Sequence, residues 1–163
     1  MAKREINSNL VEMVIESITD ELNAWAFKRN LANYCYRVGF KQAGNYYGNE
    51  SKVELKHAKY LQHWLNNRGV SYPLPLPTES EEQNDLVEGI KGSNKLELDL
   101  LNSYMTRARE AYLIDIEVFN LFNRYVKIQS EEIVKSLGFV DQLKLIDPEK
   151  GNHLWHWQTK AFK

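Results

Sequence analysis

The chain has 163 residues, 43% of them hydrophobic and 26% charged, with a formal net charge of -1 at pH 7. That length suffices for one domain with a buried core, expected here to span residues 1–163, and the near-neutral balance excludes the basic footprint of a nucleic-acid binder. No run is apolar enough to span a membrane, the stretch from Met1 to Glu5 has no signal-peptide core behind it, and the single cysteine, Cys35, excludes an internal disulfide framework; the default location is cytoplasmic.

All four prolines are Pro73, Pro75, Pro77 and Pro148, which leaves room for long helices on either side of the first three. A first helix is predicted over about 8–38. Asn7 or Ser8 caps it, Leu10, Val14, Ile18, Glu21, Trp25 and Ala32 recur at helical spacing, and Gly39 stops it. A second helix runs from near Phe40 to Gly69, with a stripe of Tyr47, Glu50, Glu54, Ala58, Leu61 and Leu65. Residues 70–83 carry alternating prolines and read as an extended strip. Such a strip reaches roughly 45 Å, enough to run the length of a long helix bundle.

A third helix is predicted from about Asn84 to Leu113 and a fourth from about Asp115 to Phe139. The latter carries Val118, Phe122, Tyr125, Gln129, Glu132 and Ser136 on one face. A short fifth helix, about 152–162, holds Leu154, Trp157 and Ala161 on one side. Trp155 and Trp157 need cover, so this tail is expected to dock at subunit contacts. The class is all-α.

Each long helix places a polar residue on an otherwise apolar face: Glu21, Glu54 with His57, Glu97, and Gln129 with Glu132. A buried acid is costly unless it is paired or bound to a cation. Glu21 and Glu54 lie nearly equidistant from the turn at Gly39, and Glu97 and Glu132 nearly equidistant from the turn near Ile114. In antiparallel hairpins all four acids then reach one depth, mid-bundle. Glu54 and His57, three apart, share a helix face. Four carboxylates and an imidazole suit a pair of iron or manganese ions better than one structural zinc. The alternative is an acid network neutralised by Lys28, Arg107 or Arg124. Asp99 competes with Glu97 but faces the polar Ser103 and Thr106.

These residues resemble the non-haem bacterial ferritins over nearly the whole chain. The likeness rests on Glu21, Tyr34-Cys35, Glu54-x-x-His57, Lys95-Leu96-Glu97, Gln129-x-Glu131-Glu132 and Gly151-Asn-x-Leu154-Trp155. It implies a ferritin-like four-helix bundle with a long crossover between the second and third helices and a short C-terminal fifth helix. Lys135 stands where a second E-x-x-H would place its histidine, and Leu55 where a haem-ligating methionine would lie, so haem is not expected.

The resemblance further implies an iron-storage protein with ferroxidase activity. Glu54 would bridge two irons per subunit. Glu21 and His57 would complete the first iron site, and Glu97 and Glu132 the second. Gln129 would stand beside them, with Glu54 and Gln129 closest to the chemistry. Fe(II) would be oxidised by O2 or H2O2 and stored as Fe(III) mineral inside a hollow homo-oligomeric shell of about 24 subunits. No nucleic acid or membrane partner is implied.

The chain departs from the family at Lys28, where a tyrosine is usual, at Arg124, where a tryptophan is common, and at Val53 and Ile128, which lack the carboxylates of a third iron site. Two alternatives stay open. One is a structural or weakly active cage subunit, co-assembling with an active partner. The other is a small-oligomer di-iron oxidase or peroxidase.

Overall fold

A computed structural model describes residues 4–150 and 152–163. Lys3, half of the small basic cluster at the N-terminus, and Gly151, which leads the tail motif, lie outside the described residues. Five helices follow in order: α1 (Ser8–Val38), α2 (Lys41–Asn67), α3 (Leu86–Tyr112), α4 (Ile116–Leu143) and α5 (His153–Ala161). No strand occurs among the described residues.

The ends of the helices follow from local chemistry. The Asn7 side chain caps α1 by accepting from the Asn9 amide at 2.9 Å. Gly39 closes it at φ 93°, a left-handed conformation that glycine adopts without steric cost. Asp85 and Asp115 cap α3 and α4, each accepting a first-turn amide at 2.9 Å. The fourth helix runs past the expected end at Phe139. Gly138 is tolerated there, and buried Leu143 is held in one apolar cluster with Phe162 of the tail.

α1 packs chiefly on α2, and α3 on α4. Gly89 of α3 faces Leu31 of α1 and Arg107 reaches Asp20, so α3 runs antiparallel to α1 and parallel to α2. That topology needs a connection the length of the bundle. Residues 68–85 supply it, lying along α1. Asn23 accepts from the amides of Thr78 and Glu79, Asn30 donates to Ser80 and the Glu81 carbonyl, and Arg37 pairs with Glu82. Leu74 and Leu76 remain exposed on this strap, while Tyr72 packs inward.

The apolar interior comes in two parts. One surrounds Leu10, Val14, Ile18, Leu61, Leu65, Tyr104, Phe122 and Tyr125. The other, nearer the α1–α2 turn, gathers Leu31, Cys35, Ala43, Tyr47, Leu86, Ile90 and Leu143. Between them, and reaching into the first, lies a layer of buried polar groups that includes Glu21, Lys28, Ser51, Glu54, Ser93, Glu97 and Gln129.

The tail docks on its own chain: Gln158 is fully buried and accepts from the Ala43 amide at 3.1 Å, and Phe162 packs against Tyr46, Tyr47 and Phe139. Trp157 is partly covered in the same cluster, donating to Gln142, whereas Trp155 stays exposed. The polar Gln158, outside the apolar stripe, anchors the tail to the first turn of α2.

Candidate metal centre

Glu21 is placed by α1, one turn from Ile18 on the buried face. Tyr104 of α3 donates to its Oε1 at 2.5 Å, while Oε2 has no hydrogen-bond partner. Glu54 and His57 come from successive turns of α2. His57 Nδ1 stands 3.1 Å from Glu54 Oε2 and 3.5 Å from Glu21 Oε2. The ring packs edge-on to Tyr125, whose hydroxyl donates to the His57 carbonyl at 2.7 Å and ties α2 to α4. Glu21, Glu54 and His57 each present a ligand atom within 4.8 Å of the others, the one such group among the described residues. Two carboxylates and an imidazole form a donor set suited to a divalent transition metal.

The remaining expected residues lie close by but do not join this group. Glu97 is buried on α3, whereas Asp99 is exposed and paired with Lys95. Its Oε1 accepts from Lys28, and its Oε2 has no partner. Glu132 is only partly buried and turns to Lys135 at 2.9 Å. Gln129 is fully buried with both amide atoms unpaired. A small cavity of about 10 Å³, roughly one water sphere, is lined by Lys28, Glu50, Glu97 and Glu132 among others.

Lys28 decides the electrostatics. Its side chain is 2% exposed, and its ammonium bonds both Glu54 Oε1 and Glu97 Oε1. Burial works against the charge, but the two carboxylates outweigh it and raise the pKa above the ordinary lysine value. Burial likewise pushes Glu54 up, yet Lys28 and His57 hold it down at about 2. Burial would lower His57, but the Glu21 and Glu54 carboxylates raise it to about 10. Glu21 and Glu97 are both raised to about 7, chiefly by burial. In the metal-free centre the imidazolium and the ammonium are therefore the counter-charges.

The neutralised acid network is thus partly realised, through Lys28 alone. Arg107 turns to Asp20, and Arg124 stacks on Tyr60 at 4.4 Å, away from the acids. Sequence reasoning passed over Tyr104, and Glu50 read as an ordinary stripe residue. Spacing held a signal for both: Tyr104 lies two turns beyond Glu97, and Glu50 one turn before Glu54.

No protein-family model matches the chain. It is 28% identical over 153 residues to the bacterial non-heme ferritin of Campylobacter jejuni, covering 92% of this chain and 90% of that protein. The open-pore ferritin of the hyperthermophilic archaeon Archaeoglobus fulgidus superposes with a TM-score of 0.87 at 22% identity, over 96% of this chain and 98% of that one. A humanised archaeal ferritin gives the same TM-score at 21% identity, over 96% of each chain.

Proposed function

With a fold that is that of the ferritins and a sequence that resembles the non-haem bacterial ones, we propose that this chain is an iron-storage protein, the subunit of a hollow homo-oligomeric cage. Iron is its substrate and cargo. Fe(II) enters the bundle, gives up its electron to O2 or H2O2 near Glu21, Glu54 and His57, and is kept as Fe(III) mineral. This makes the chain a cytoplasmic ferroxidase. Gln129, Glu97 and Glu132 complete the polar surroundings in which the iron is handled. The assembly is a shell of about 24 chains, the size the resemblance implies.

The observation that carries this reading is the mid-bundle convergence of Glu21, Glu54 and His57. Glu21 Oε2 is buried without a hydrogen-bond partner, a position that a bound cation satisfies. The hydrogen bond from Tyr104 to Glu21 and the edge-on packing of the His57 ring on Tyr125 hold the donors in place before any ion arrives. No helix among the described residues is long and apolar enough to cross a membrane.

Anaerobic Fe(II) titration followed by exposure to oxygen tests the proposal. Tight binding that Glu21→Ala and His57→Ala abolish, with ferric absorbance growing on oxygenation, is the expected result. Absence of any tight Fe(II) binding sinks it. Sedimentation of the protein must show a large shell; a dimer would favour a small-oligomer oxidase instead. One observation favours a second reading, a structural or weakly active cage subunit: Lys28 already neutralises two of the acids. An intact shell with no faster iron oxidation than buffer alone would support it.

A further inference from the structure

Resting on the iron-handling reading, we propose that the Lys28 ammonium holds the place of a second metal ion, so that each chain binds one divalent cation rather than a pair. Glu54 shows the division of labour. Its Oε1 faces the ammonium, and its Oε2 faces His57 and, beyond it, Glu21. One carboxylate thus bridges two cation positions, and one of them is filled by the protein itself.

The acids on the far side are arranged around that ammonium and not around an empty site. Glu97 gives Oε1 to Lys28. Glu132, expected to face the same ion, pairs with Lys135 and not with the ammonium. The adjoining space amounts to about 10 Å³, which one water sphere would fill. Only Glu21, Glu54 and His57 bring ligand atoms together, among the described residues.

Lys28 is fixed there by its surroundings. With 2% of its side chain exposed and two carboxylates on its nitrogen, it has no solvated position to retreat to without leaving Glu54 Oε1 and Glu97 Oε1 buried and unpaired. Glu50 of α2 and Glu132 of α4 add negative field from the same side, and Lys135 opposes it from the rim. A second divalent ion would have to enter beside a buried positive charge, where repulsion at low dielectric is strong.

The test is the stoichiometry of Co(II) bound to the full-length assembled protein under anaerobic conditions, by calorimetry and by dialysis with elemental analysis. The wild type is expected to take up about one Co(II) per chain and Lys28→Met about two, because removing the ammonium frees Glu54 Oε1 and Glu97 Oε1. Lys28→Gln, which keeps hydrogen-bond donors in the site and guards against misfolding of the apolar variant, is likewise expected to take about two, and Lys28→Arg about one. Two ions per chain in the wild type would overturn the proposal while leaving the iron-handling reading intact. So would a count that stays at one in both neutral variants. No Co(II) bound by any of the proteins would overturn the iron-handling reading itself, and this proposal with it.

Discussion

Tyr104 donates its hydroxyl proton to Glu21 at 2.5 Å, and both side chains are fully buried. Tyr104 also stacks on Tyr125, ring centroids 4.8 Å apart. A phenol on α3 therefore aims a carboxylate of α1 at an imidazole of α2. Tyr104→Phe keeps the stack and removes only the donor, leaving a buried oxygen unpaired. It is expected to cost about 1–3 kcal/mol in chemical denaturation of the metal-free protein, with less loss once Co(II) is bound. An equal loss in both states would show that the bond is purely structural.

Removing Glu54 isolates a buried ammonium with one partner fewer. Glu54→Ala should destabilise the fold by about 3–5 kcal/mol. Adding Lys28→Met to it should recover part of that loss, since the orphaned charge goes as well. A double variant no more stable than Glu54→Ala would mean that Lys28 finds other partners.

The pH dependence has a definite sign. Glu21 and Glu97 sit at about 7 in the folded centre against 4.5 in a free chain. Between those values the native state binds more protons, so stability falls as pH rises through that window. His57, raised from 6.5 to about 10, contributes stability fully below 6.5 and loses it as pH climbs through about 10. Glu54, lowered from 4.5 to about 2, contributes above 4.5 and loses it as pH falls through about 2. The metal-free protein should therefore unfold at higher denaturant near about pH 5 than near about pH 8. A divalent ion needs the deprotonated carboxylates, so saturating Co(II) should flatten or reverse that trend.

Two glycines of α3 mark a close helix crossing. A Cβ on Gly89 would lie 2.3 Å from Leu31 Cδ1, and one on Gly92 2.8 Å from Phe27 Cζ. Gly89→Ala is expected to cost about 1–3 kcal/mol by overpacking. Gly138, with nothing near its Cβ direction, is the control: Gly138→Ala should stabilise α4 by about 0.5–1 kcal/mol. Thermal melts of the two variants should move in opposite directions.

Deleting residues 153–163 should expose Tyr46, Tyr47 and Phe139 together and strand the Ala43 amide without Gln158. The melting temperature should fall even under conditions where the subunits are kept apart. A loss confined to the assembled state would return the tail to a role between subunits.

Periodicity made the helices legible, and polar residues on apolar faces made the centre legible. Asn7, Gly39 and the prolines bounded the elements by local chemistry alone. The symmetric distances of Glu21 and Glu54 from Gly39 placed both acids at one level. What sequence could not decide was where long side chains point. Lys28 lies seven residues from Glu21, two turns along the same face, yet a lysine there can snorkel outward or turn in. Glu97 and Glu132 shared a level but not a destination, because Lys135 one turn on offered Glu132 a solvent-side partner. Gly89 and Gly92, poor helix formers in the first turns of α3, stand where Leu31 and Phe27 press against the helix.

The cation between Glu54 and Glu97 is covalently attached to α1. It arrives with the polypeptide in a fixed ratio and cannot be chelated, diluted or exchanged for a competing ion. That half of the bundle therefore has this counter-charge as soon as the chain folds, in iron-poor and iron-rich surroundings alike.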